Sequence, residues 1–333
     1  MSIISRRTIK GLVALFICII VVLLIVANQI NAAIFSPPRR ALQEYHMHRI
    51  NTPADYGLSI RSHGCLNGQV PCLLVEPDGL AGVGVRGKRL RQQLSENGVE
   101  LPAYGRVQGI IVLLHGRNGR KEDLLPIAER FVAAGFRCVL PDLPSHGDSP
   151  LEVTSFGSSE FERQLPAKVL EDIGSHFSLP DEPAALWGMS MGGAFAVNAA
   201  GEPSANWDAM MVVSSFSSLE TVLESHVPEK WHSLFPVLVS LLGIERKLQQ
   251  LPTIREIQPA HVAQQLKLPA LLVHGDRDRY VRMEEGRNLY ASLASDNKKW
   301  LTVPGGGHRS VLSTSMPLYS EMNTWLARVL ANQ

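Results

Sequence analysis

The sequence predicts an α/β fold: a doubly wound, mainly parallel sheet with helices on both faces and a short helical cap, preceded by one N-terminal transmembrane helix. Three observations predict it. From residue 109 onward, short continuous apolar runs alternate with segments of helical periodicity, the pattern of βαβ units. One serine stands at G-x-S-x-G spacing in Gly188-Met189-Ser190-Met191-Gly192, after an apolar run and before Ala-rich, helix-prone sequence. Lastly, the chain begins with a long uncharged stretch of Ile, Val and Leu.

Bulk composition sets the frame. At 333 residues with 45% hydrophobic content, the chain can build one large α/β domain around a sizeable core. A formal net charge of +1 gives no electrostatic case for nucleic acid as a partner.

Residues 1–36 read as a membrane anchor. Arg6, Arg7 and Lys10 precede the apolar stretch, and Pro37, Pro38, Arg39 and Arg40 end it. About 20 apolar residues cross a bilayer as a helix, which Ile9 to Phe35 supplies if Asn28, Gln29 and Asn31 lie at the interface. A cleaved signal peptide is the competing reading, but its apolar region usually spans about 7–15 residues. Basic residues flank both ends, so the positive-inside count leans only slightly toward a cytoplasmic N-terminus and an extracytoplasmic main domain. Residues 37–57 are polar and basic, suited to a juxtamembrane stalk or membrane-facing helix.

The main domain then runs from 58 to 333. Leu58 to Glu76 reads as two strands around an Asn-Gly turn. Cys65 and Cys72 flank that turn; a bridge between them suits an oxidising compartment, and two separate thiols are the alternative. About residues 78–105, a glycine-rich and then basic segment carries Gly82-x-Gly84-x-x-Gly87. A dinucleotide fingerprint needs an acidic residue about 20 positions on, and Glu100 sits instead in Gly/Pro-bounded loop sequence, so the segment reads as a surface insertion. Ile110 to Leu114 is a buried-strand run. Leu124, Leu125, Ile127, Ala128, Phe131 and Val132 follow at helical spacing, closed by Gly135. Phe136 to Leu140 is the next strand. Phe161 to Phe177 is mostly helical, with Pro166 opening or kinking it. Ala184 to Trp187 leads into the serine turn. Met210 to Val213, Ala270 to His274 and Trp300 to Val303 complete the strands, with amphipathic helices at Glu284 to Leu293 and Leu318 to Leu330. About residues 216–268 exceed what a crossover requires and read as a helical cap, whose apolar side chains either line an acyl pocket or simply pack on the sheet.

A serine flanked by glycines between strand and helix has the layout of a nucleophile elbow. Chance alone would give the pattern on the order of 0.1 times in a chain this long, so its companions decide. His274-Gly275-Asp276-Arg277-Asp278 follows one later strand, and Gly305-Gly306-Gly307-His308 follows the next. The order serine, acid, histidine places all three at the carboxyl edge of the sheet, where open α/β folds bind ligands. A serine hydroxyl needs a base to attack; an imidazole can take its proton and return it to the leaving group. A buried carboxylate holds the imidazole tautomer, and preorganised N–H donors stabilise the oxyanion. Met191, next after the serine, supplies one such N–H, and the loop after His115-Gly116 supplies another through Arg117. His115 and His146 read as loop-supporting residues, and His46, His48 and His63 as surface residues. Glu122 and Asp123 read as first-turn helix residues, and Asp142 and Asp148 as loop hydrogen-bonders.

These stretches resemble the α/β-hydrolase superfamily over roughly residues 58 to 330, in particular its membrane-anchored serine hydrolases and the lysophospholipase and serine-aminopeptidase-like branch. The resemblance rests on His115-Gly116, Asp142-x-x-x-His146-Gly147-x-Ser149, Gly188-x-Ser190-x-Gly192, Gly275-x-x-Asp278-x-x-Val281 and Gly307-His308. It implies the triad Ser190, Asp278 and His308, with Asp276 as the alternative acid. Ser145 and Arg282 depart from the pattern, where glycine or alanine and proline are common. The implied chemistry is cleavage of a carboxylic ester, thioester or amide through an acyl-serine, with a small or lipid-like acyl substrate and no metal or organic cofactor. Acyl transfer and peptidase activity use the same triad, and a catalytically silent membrane-tethered binding protein is the reading from another class.

Overall fold

A computed structural model describes residues 6–204, 206–313 and 317–331. Eight strands, β1 (Leu58–Cys65), β2 (Val70–Pro77), β3 (Ile110–Leu114), β4 (Arg137–Pro141), β5 (Ala184–Met189), β6 (Ala209–Val213), β7 (Ala270–Gly275) and β8 (Lys298–Val303), form one sheet in the order β1-β2-β4-β3-β5-β6-β7-β8. The β1–β2 and β2–β4 pairings are antiparallel, and every pairing from β4 onward is parallel. Helices α1 (Arg6–Phe35), α2 (Glu44–Asn51), α3 (Val85–Glu96), α4 (Leu125–Ala133), α5 (Glu160–Phe177), α6 (Met191–Ala200), α7 (Leu219–Ser225), α8 (Phe235–Leu248), α9 (Pro259–Ala263), α10 (Met283–Ser292) and α11 (Leu318–Ala331) surround it.

The strands are continuously apolar because both faces are covered. Their period of two sorts side chains into two cores. Ile110, Val112, Leu114, Leu186, Met210, Val212 and Leu272 join α5, α6, α9 and α10 on one face. Ile111, Leu113, Trp187, Met211, Val213, Leu271 and Val273 meet α3, α4 and α11 on the other.

Three expectations need correction, and two alternatives the sequence left open are decided. The segment 78–105 is more than a surface insertion: α3 buries Leu90 and Leu94, and Gly87 sits where a Cβ would meet Ala133 of α4. Residues 37–57 are no free stalk, because α2 is docked. His46, expected at the surface, is buried with its Nε2 2.9 Å from Asp123 Oδ1, and Arg49 pairs with Glu129 at 3.0 Å. Cys65 and Cys72 are buried free thiols. In the hairpin register they face Val70 and His63 respectively, so they are not directly opposed. Of the two readings of Pro166, the one that puts it within the helix holds: it lies inside α5, whose start is set by the Ser159 hydroxyl accepting the Glu162 N–H.

Within α1, Ala14–Phe35 is long and apolar enough to cross a membrane, with mean hydropathy 2.5. The exposed side chains of Leu15 to Ile17 and Val21 to Val26 give way at Ala27, where every fourth residue (Ala27, Asn31, Phe35) turns into the domain. Asn31 donates to Leu242 O and Glu245 Oε2 of α8. Phe35 packs edge-on against Phe156 and under the Arg246 guanidinium, 3.6 Å from the ring centroid. Phe35→Ala therefore removes a buried aromatic ring and should destabilise the detergent-solubilised protein by about 3–5 kcal/mol. Leu24→Ala, on the exposed part of the same helix, should leave the melting temperature unchanged.

Candidate active site

The β5–α6 turn puts Ser190 at φ 54, ψ −118, a backbone conformation that costs energy and persists only when its surroundings enforce it. Ser190 N–H donates to Val213 O at 2.9 Å, and Ser190 O accepts the Ser215 hydroxyl at 2.7 Å. The flanking glycines are required by space. A Cβ on Gly188 would fall 2.0 Å from Gly192 O, and one on Gly192 would fall 2.0 Å from Leu114 O. Met191 opens α6, so its N–H belongs to the first helical turn, whose donors have no intrahelical partner.

His308 follows the glycine turn after β8, and its Nδ1 lies 2.8 Å from Asp278 Oδ2. Asp278 Oδ1 accepts the N–H groups of Tyr280 and Val281, both at 2.9 Å. Burial alone would push the Asp278 carboxyl up. Hydrogen bonds from His274 and His308, the charge of a protonated His308 and the Val281 N–H outweigh it and hold the carboxyl well below the usual carboxylate range. Asp276, the alternative acid, is exposed and accepts the Gly305 N–H at 2.7 Å. It braces the glycine turn and does not pair with His308.

The β3 loop lies against the serine: a Cβ on Gly116 would fall 3.5 Å from Ser190 Cβ. Arg117 continues this loop, and its guanidinium reaches the last carbonyls of α1, Ala33 O and Ile34 O, a favourable place for a cation. His115 accepts the Leu143 N–H at Nε2 and faces Gly116 O through Nδ1, which fixes its neutral tautomer. Burial pushes His115 down to about 4 and His146 down to about 3. Glu122 and Asp123 do more than favour a helix dipole. Glu122 pairs with Arg120 and Lys121, and Asp123 ties Arg40, Tyr45 and His46 to the Arg120 N–H. Asp142 and Asp148 meet at Lys121 Nζ, at 2.7 and 2.6 Å.

Ser190 and His308 share one cavity of about 490 Å³. Leu124, Ile127, Met189 and Leu312 give it an apolar side, and Arg40, Arg117 and Arg309 a basic one. No cap residue between 216 and 268 is among its lining residues. Phe235, Val239 and Leu242 pack into the core instead, so the pocket-lining expectation for the cap does not hold. Two residues given no role from sequence stand beside the His308–Asp278 pair: His274 Nε2, 3.4 Å from Asp278 Oδ2, and Tyr280, whose ring centroid is 5.0 Å from that of His308. His274, four residues before Asp278 at the end of β7, was the available signal.

The sequence model of the alpha/beta hydrolase family matches residues 111–321. The chain belongs to the alpha/beta hydrolase family. That span includes the serine turn, the β7 acid and the β8 histidine of this hydrolase. No curated protein matches the sequence. Solved structures share the fold at low identity. An esterase of Pyrococcus furiosus superposes with TM-score 0.59 at 16% identity, covering 87% of this chain and 97% of its own. A 2,6-dihydroxy-pseudo-oxynicotine hydrolase gives 0.54 at 16%, covering 83% and 68%. A bacterial membrane phospholipase A gives 0.50 at 15%, covering 98% and 99%.

Outside the cavity, His63, Cys65 and Asp172 hold their ligand-type atoms within 4.8 Å of one another. Asp172 already accepts from Leu66 N and pairs with His63 at 3.1 Å, which accounts for the cluster as packing between β1 and α5.

The buried neutral histidines make stability pH-dependent. Their folded pKa values lie below the ordinary value of 6.5, so the unfolded chain binds more protons as pH falls from about 6.5 toward 4, and stability is lost over that window. The loss should be on the order of a few kcal/mol, lowering the melting temperature by roughly 5 °C or more between pH 7 and pH 5. His146→Asn, which cannot titrate there, should flatten that slope.

Proposed function

We propose that this chain is a membrane-anchored serine hydrolase that cleaves a carboxylic ester through an acyl-Ser190 intermediate. The observation that carries the reading is a serine on a strained strand-to-helix turn sharing a cavity with His308, which is paired to the buried Asp278. Ser190 Oγ attacks the acyl carbonyl while His308 Nε2 takes its proton. The ester C–O bond then breaks, and His308 returns the proton to the departing alkoxide. Water repeats the sequence on the acyl-enzyme. Asp278 holds the His308 Nδ1–H, and the N–H groups of Met191 and Arg117 receive the oxyanion.

An apolar cavity side beside arginines suits an amphiphilic or lipid-like acyl ester. The esterase and phospholipase among the structural neighbours point the same way. In this reading helix α1 spans the membrane, and the basic residues before it, Arg6, Arg7 and Lys10, favour a hydrolase domain on the extracytoplasmic side. Labelling with a fluorophosphonate probe tests the reading: folded wild-type protein labels and Ser190→Ala does not. Failure of the wild type to label would overturn it.

A further inference from the structure

Helix α8 carries an apolar stripe on its outer face. Leu234, Val237, Leu241, Ile244 and Leu248 are all exposed, Leu248 at 82%. Their spacing of three, four, three and four keeps them on one side of the helix. The other side buries Phe235, Val239 and Leu242. Trp231, half exposed, extends the stripe beside Lys230, an aromatic and basic pair of the kind found at membrane–water interfaces.

The length of α1 identifies what covers this stripe. Lys10 is the last charged residue before Arg39, and Ala27 is where the described side chains of α1 turn into the domain. Ala27 stands seventeen positions after Lys10, about 25 Å of helix at 1.5 Å per residue. A hydrocarbon core is about 30 Å thick, and tilt raises the requirement. The missing length must come from the turn between Ala27 and Asn31. That turn already rests on α8, through the Asn31 bonds to Leu242 O and Glu245. A helix docked there lies at the hydrocarbon boundary.

We infer that α8 is a second membrane contact, lying in the interfacial layer of a lipid bilayer with its outer stripe in the acyl chains. The inference rests on the reading of α1 as a span. It sets the cavity beside the headgroups, because Arg117 binds the end of α1 and Arg40 follows it by five residues. The ester substrate then enters from the leaflet rather than from bulk water.

The full-length protein in phosphatidylcholine vesicles provides the test. Cys18 is the exposed native thiol and Cys65, Cys72 and Cys138 are buried, so a Cys18→Ser background accepts single labelled cysteines. Environment-sensitive fluorophores at Val237→Cys and Leu241→Cys should be quenched by lipids brominated in their acyl chains, as should Leu23→Cys in α1. Lys168→Cys on α5 should not. Quenching at Leu23→Cys without quenching on α8 overturns this inference and leaves the span intact. Absence of quenching at all three overturns both. A Val237→Asp, Leu241→Asp double variant should keep its turnover of a short soluble ester while losing about tenfold on an ester embedded in vesicles. Equal losses on the two substrates would also overturn the inference.

Discussion

Ser190→Ala is expected to lower kcat about a million-fold while the protein stays folded. The substitution removes one oxygen and keeps the Cβ, so the backbone at φ 54 is no more strained than before. The cavity remains, and with it the proposed oxyanion donors, which should preserve a residual rate of about 10³–10⁴ over water. Steady-state kinetics on a p-nitrophenyl ester, with thermal melts of both proteins, measures this. A loss below tenfold with an unchanged melt would remove Ser190 as nucleophile, since no other group could then be relying on it for attack.

How much of this was legible in the sequence depends on whether the cause was local. The strands and the serine turn were readable because strand periodicity and a steric demand for glycine at 188 and 192 are written within a few residues of each site, and Ser190, Asp278 and His308 each follow a readable strand in that order. What failed depended on distant partners. His46 reads as a surface histidine in a polar stretch, yet it is buried by Asp123, 77 positions away. Asn31 stands in the apolar run with no local sign that its amide is held by α8, more than 200 positions on. The cap shows the same limit. Its apolar residues are visible, but which of them face the core and which face outward depends on where α1 docks, and no periodicity within the cap encodes that. The resemblance favoured Asp278 over Asp276, and the backbone turn buries the first against His308 while it leaves the second exposed.

That pair yields the second large effect. Asp278→Asn is expected to lower kcat about 10⁴-fold near pH 7, and Asp276→Asn only severalfold. Both Asp278 oxygens accept: Oδ1 takes two backbone N–H groups, and Oδ2 faces His308 Nδ1 and His274 Nε2. An asparagine that keeps its oxygen on the Tyr280 and Val281 N–H groups turns its NH₂ toward His308. The ring must then accept at Nδ1 and carry its proton on Nε2, the tautomer that cannot take a proton from Ser190. Because the Asp278 carboxyl is held below its usual range, it also stabilises the fold above the unfolded-state pKa, and that contribution is lost as pH falls through the folded value. Melts must therefore accompany the kinetics, so that a lost tautomer is not mistaken for a lost fold. Asp276 acts only on the glycine turn that carries His308, through the Gly305 N–H, and its loss should shift KM and kcat together by small factors. If Asp276→Asn is the variant that collapses kcat, the His308–Asp278 pair is not the proton-transfer axis. The exposed carboxylate would then have to reach His308 in a conformation this structure does not contain.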